Sequence, residues 1–134
     1  MDTTETSVAV NPVQPTESHL AIRKLDADVA IVTLGGRIDA TSVRRQRDQM
    51  HALVDRGGVT RVIVDLSAVT FLDSAGIAML VSLLKRVRFA EGDMRVVEPA
   101  DESVQRVLRL TRLDLVFHLK GSVEAAIKDL PAVR

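Results

Sequence analysis

The chain has 134 residues, 46% of them hydrophobic and 27% charged, a size and balance suited to one domain that buries roughly two-thirds of its unfolded surface. Lysine and arginine number 18, as do aspartate and glutamate, so no net positive charge is available to hold a nucleic-acid backbone, and three Phe with no Trp or Tyr give no base-stacking platform. The absence of cysteine excludes disulfides, thiol nucleophiles and sulfur-ligated metals.

Met1 to Ser18 is rich in Thr, Glu, Ser and Pro, has no hydrophobic period, and is expected to be a disordered tail preceding a domain over 19–134. This amino terminus is acidic and lacks a basic segment followed by an apolar one. No apolar run approaches membrane-spanning length, so a cytoplasmic protein without membrane insertion is expected.

His19–Leu25 alternates weakly, and Val29–Leu34 is almost wholly apolar; the turn between them is short enough to predict an antiparallel pair with the second strand inside the sheet. Gly35-Gly36-Arg37-Ile38-Asp39-Ala40 is expected to leave that strand, and Thr41 or Ser42 offers a helix cap. Val43, Gln46, Met50, Leu53 and Val54 then recur at helical spacing until Gly57-Gly58. The arginines outside that stripe read as a solvated face.

Arg61–Leu66 is apolar and β-branched and predicts a central strand, followed by a brief connection. Asp73-Ser74-Ala75-Gly76 opens the next helix: Asp and Ser accept hydrogen bonds from the first-turn N–H groups, and the small pair Ala75-Gly76 permits close approach of another surface. Ile77, Leu80, Val81, Leu84 and Val87 form the predicted sheet-facing stripe. Met79 and Leu83 fall off it, so the apolar arc is wider than one buried side requires. Either protein covers both sides or part of the arc is an exposed partner site; a domain this short has few elements left to cover it, which favours the second.

Met94–Glu98 reads as a strand ended by Pro99, and Asp101-Glu102-Ser103 as a helix start with Val104, Val107 and Leu108 facing inward. Arg106, Arg109 and Arg112, three residues apart, form a basic ridge that is read as a solvated face before it is read as a grip for an acidic partner. Leu115–Leu119 predicts a last strand, and Gly121-Ser122 opens a final helix through Leu130. His19, His51 and His118 are isolated in sequence, which gives a metal site no support.

Strands alternating with helices after an opening hairpin predict an α/β fold: a mixed, mostly parallel sheet with an antiparallel edge strand and about four helices. The loops that follow the second, third and fourth strands then share one edge, which brings Asp39, Asp73-Ser74 and Glu98-Pro99 together.

Gly35-Gly36-Arg37-Ile38-Asp39, Val62-Ile63-Val64-Asp65-Leu66-Ser67 and Val69-Thr70-Phe71-Leu72-Asp73-Ser74-Ala75-Gly76-Ile77 resemble the STAS domain, and among its members the stand-alone bacterial anti-sigma factor antagonists. The resemblance spans about His19 to Leu130. It implies that Ser74 is a phosphoacceptor for an anti-sigma factor that is also an ATP-dependent serine kinase. The unmodified protein then binds that kinase and releases a sigma factor, and a serine phosphatase reverses the mark. It also implies that Asp73 is an essential neighbour of Ser74 and that Asp39 matches the family's second-strand loop. Many members have Ser where this chain has Ala75. Asp39, Asp73, Ala75, Gly76, Met79 and Leu83 are the expected partner contacts, with no cofactor or metal and no catalysis by the chain itself. Two other readings stay open: a constitutive STAS scaffold subunit of a lipid-transport or stress-signalling complex, and an α/β enzyme or nucleotide binder using the Asp39/Asp73 edge. From position alone, a plain helix cap is the better reading of Ser74, and the surrounding motif is what favours the phosphoacceptor.

Overall fold

The computed structural model describes residues 17–131, so the predicted tail lies outside the described residues except for its end, where Ser18 already belongs to the first strand. Strand β1 (Ser18–Lys24) runs antiparallel to β2 (Val29–Ile38). There follow α1 (Val43–Asp55), β3 (Arg61–Leu72), α2 (Ser74–Phe89), β4 (Asp93–Val97), α3 (Glu102–Leu110), α4 (Leu113–Val116), β5 (Leu119–Lys120) and α5 (Val123–Asp129). The five-stranded sheet has the order β1-β2-β3-β4-β5, parallel from β2 onward.

Because the spatial order follows the chain, right-handed crossovers place α1, α2 and α3 on one face. Met50, Leu80, Leu83, Val104 and Leu108 accordingly form one core with Val62, Val64 and Leu66. Ile31, Ile63 and Val97 point the other way, where Ala126 of α5 covers them. A strand buried on both faces has no polar side to show, which explains the unbroken apolar run Val62-Ile63-Val64.

The first two parallel strands are longer than expected. β3 does not end at Leu66 but continues to Leu72, and β2 continues through Gly35-Gly36 to Ile38; the two stay paired across two bulges. Gly36 makes the bulge possible: its φ is +72°, and a Cβ there would lie 1.7 Å from the Glu17 carbonyl oxygen. β4 pairs only with Arg61–Asp65, so the far half of β3, paired with β2 alone, carries its loop beyond β4.

The predicted strand Leu115–Leu119 is corrected. Its first part is a single helical turn, α4, after which Phe117 is fully buried and only Leu119–Lys120 pairs with β4. A short apolar run does not distinguish a strand from a buried helical turn, and here Phe117 plugs the core from the turn. The helices therefore number five among the described residues rather than four.

Candidate modification and docking site

The end of β2 and the start of α2 are joined by one backbone contact: the Asp73 N–H donates to the Ile38 carbonyl at 3.3 Å. Asp73 is extended (φ −101°, ψ −174°), and its Oδ1 accepts the Gly76 N–H at 3.0 Å, so the carboxylate caps α2. Gly76 is buried against β2. A Cβ there would lie 2.6 Å from Leu72 Cδ1 and 2.9 Å from the Ile38 carbonyl oxygen, so the close approach anticipated for Ala75-Gly76 is made by the chain's own strand. Ala75, beside it, is half-buried.

With Asp73 acting as the cap, Ser74 becomes the first helical residue. It is exposed, and no hydrogen bond among the described residues engages its hydroxyl. The first N–H groups of a helix and its dipole favour negative charge at this position, so a phosphate added there is tolerated by the fold.

Asp39 lies one residue beyond Ile38 and so belongs to the same edge. Its Oδ1 accepts from the Thr41 N–H at 3.0 Å and the Thr41 hydroxyl at 2.7 Å, and Arg37 Nε lies 3.7 Å from Oδ2. The Thr41 hydroxyl, above all, holds the Asp39 carboxyl below its ordinary pKa, with the Arg37 charge adding to the effect. The Arg37 guanidinium in turn stacks 3.8 Å from the centre of the Phe71 ring.

Met79 and Leu83 are not where the apolar arc opens. Both are buried, at 2% and 0% exposure, together with Gly76, Leu80, Leu84 and Val87. The buried side keeps Leu80, Leu84 and Val87 of the predicted stripe but is rotated to take in Gly76, Met79 and Leu83, leaving Ile77 and Val81 half-buried at its margin and Ala78 exposed, all three lining the groove. The cause is Gly76: the backbone of the first turn packs directly on Ile38, which points the helix positions in register with Gly76 into the core. As side chains sealed in the core, Met79 and Leu83 are withdrawn as direct contacts.

The open side of α2 and the end of α1 enclose a groove of about 920 Å³, lined by Ser74, Ile77, Ala78, Val81, Val54 and Phe89 among others. Phe89 is 92% exposed, an unusual position for a lone aromatic side chain. Two polar links fix the groove walls. Arg86 donates to both Asp55 carboxylate oxygens at 2.9 and 2.7 Å, and Ser82 Oγ lies 3.0 Å from His51 Nε2. Burial, then the positive charge of Arg86, lowers the His51 pKa and favours neutral imidazole in that contact. Val54 and Asp55 are placed on the first helix by the sequence but not at a site, and Phe89 is not singled out; the available signal was an aromatic residue closing an apolar helix just after Arg86 and Arg88.

The STAS domain family profile matches residues 21–126. An anti-sigma F factor antagonist of Lysinibacillus sphaericus is 22% identical over 82 residues, 61% of this chain and 70% of that protein. A putative anti-sigma factor antagonist of Bordetella bronchiseptica, BtrV, is 26% identical over 107 residues, 80% of this chain and 90% of its own. The fold matches that of the anti-sigma factor antagonist SpoIIAA in its unphosphorylated form, with a TM-score of 0.73 and 19% identity over 82% of this chain and 94% of that one. The phosphorylated form of the Bacillus protein gives 0.67 and 18%, over 82% and 97%. With a family match that covers both the sheet and the Asp73-Ser74 turn, the chain belongs to the STAS domain family.

Proposed function

We propose that this protein is an anti-sigma factor antagonist controlled by phosphorylation at Ser74. Its unmodified form binds an anti-sigma factor that is also an ATP-dependent serine kinase and so frees a sigma factor. Phosphorylation of Ser74 by that kinase ends the interaction, and a serine phosphatase restores it. The chain performs no chemistry itself and acts in the cytoplasm. Among the described residues, no helix is long and apolar enough to cross a membrane.

The observation that carries this reading is the exposed Ser74 hydroxyl at the first residue of α2, opening directly onto the Ile77–Ala78–Val81 groove. The antagonist names of the two relatives, and the existence of SpoIIAA in both phosphorylation states, support it. A phosphate brings about 1.5 to 2 negative charges, of which the helix terminus offsets about 0.3–1 kcal/mol per charge. The domain therefore keeps its shape. A partner lying on the groove, by contrast, meets a hydrated anion beside the Asp73 carboxylate; a loss of about 3 kcal/mol there weakens binding roughly a hundredfold.

Incubation with the cognate kinase and ATP tests the proposal. One phosphate on Ser74, absent from Ser74→Ala, is the expected result. A Ser74→Asp protein that binds the kinase as tightly as the parent contradicts the switch and leaves a constitutive scaffold.

A further inference from the structure

We infer that the corner formed by α3 and α4 is a second docking surface, whose occupant is an anionic membrane surface. In α3, Val104 and Leu108 face the core at 2% and 0% exposure. At 100° per residue, Arg106 points away from them, flanked by Arg109 and Leu110. Leu110 is 76% exposed; after the chain turns through Arg112, α4 sets Leu115 outside at 67% and Val116 at 42%, while Phe117 turns fully inward. Three large apolar side chains thus stand off the surface within seven residues.

The surrounding charge is cationic and uncommitted. Arg106, Arg109 and Arg112 form no ion pair with any described residue. The nearby carboxylates are Glu102 at the start of α3, one turn before Arg106 and two before Arg109 yet without an ion pair among the described residues, and Asp114, half-buried with one oxygen sealed from solvent.

The backbone gives an independent sign. Arg112 and His118, the residues bracketing α4, have φ of 64° and 51°. Left-handed backbone after a helix favours glycine, and an arginine or histidine there is held against strain. At Arg112 the strained position also carries one of the three uncommitted cations.

An apolar knob ringed by guanidinium groups fits a fluid, negatively charged interface: leucines enter the boundary between headgroups and acyl chains while arginines meet phosphates. A protein partner needs a matched cavity; a bilayer deforms around the knob. Such adsorption requires no spanning segment. Because α3 leaves the carboxyl end of β4 and runs back toward the start of β5, the corner lies at the opposite edge of the sheet from Ser74, so both surfaces can be engaged at once.

The test is sedimentation of the full chain with phosphatidylglycerol–phosphatidylcholine vesicles at low salt, against phosphatidylcholine alone. The chain is expected to partition onto the anionic vesicles only, and to be released by high salt. Arg112→Gly separates structure from function, since it relieves the backbone while removing the charge. It is expected to melt at the parent temperature or above, yet to partition about fivefold less. Leu115→Ser is expected to lower partition about tenfold. No partition of the parent onto anionic vesicles overturns the assignment and leaves the corner to an acidic protein surface. Undiminished partition of both variants overturns it equally.

Discussion

The starts of α1 and α2 use the same ingredients to opposite effect. Each follows a parallel strand at the same edge, and each presents an aspartate and then a hydroxyl residue. At α1, the Asp39 carboxylate is tied up within its own turn by Thr41, and Ser42 Oγ accepts the Asp39 N–H at 3.2 Å and donates to its carbonyl at 3.1 Å. The hydroxyl is half-buried, closes the turn, and offers no side-chain cap to the helix. At α2, Asp73 does the capping and Ser74, already inside the helix, has nothing to close. Which side chain closes the turn decides which hydroxyl is left without a hydrogen bond among the described residues.

The largest expected effect is categorical. Ser74→Ala abolishes phosphate incorporation and Ser42→Ala leaves it intact, as read by intact mass and peptide mapping; phosphate found on Ser42 would collapse the distinction. Next, Ser74→Glu weakens kinase binding by up to a hundredfold, about 3 kcal/mol, in calorimetric titration. Gly76→Ala should destabilise the domain by about 1–3 kcal/mol in urea unfolding, because its Cβ meets Leu72 Cδ1 at 2.6 Å and the Ile38 carbonyl at 2.9 Å. Asp73→Ala removes the cap for about 1 kcal/mol. A Gly76→Ala protein of parental stability would mean that the helix start is free to shift, and with it the exposure of Ser74.

The smallest effect concerns pH and sharpens the α1 side. The folded Asp39 pKa is depressed, mainly by the Thr41 hydroxyl, so its contribution to stability is present above the unfolded pKa and is lost as pH falls through the folded value. Thr41→Val should raise the Asp39 pKa toward its ordinary value in an NMR titration and flatten the acid limb of the stability curve. The Ser74 modification should be indifferent to that change.

Much of this was legible beforehand, and what was not has physical causes. The hairpin, the parallel alternation, the helix starts at Asp73-Ser74, Asp101-Glu102-Ser103 and Gly121-Ser122, and the edge shared by Asp39 and Asp73-Ser74 followed from turn chemistry and apolar period, but which residue of the Asp73-Ser74 pair caps α2 did not. The rotation of α2 did not. Its apolar residues surround more than half the helix, so periodicity fixed the width of the buried side but not its direction. Gly76 held the missing information, in phase with Met79, Leu80, Leu83 and Val87: a residue without Cβ marks the point of closest approach, and reading it so would have put Ile77 and Val81 at the margin of the buried side and Ala78 outside it. The groove wall from Val54 and Asp55 depends on α1 packing beside α2, a relation between elements far apart in sequence. At α4, a five-residue apolar run carried no period long enough to choose between turn and strand.

The central claim is that the charge state of one exposed hydroxyl governs what lies on the groove beside it. Titrating the cognate anti-sigma kinase with unmodified and with fully Ser74-phosphorylated protein tests it most directly. Affinities about a hundredfold apart are expected, with both forms melting at nearly the same temperature. Equal affinities, or a difference that tracks a loss of folding, would contradict it.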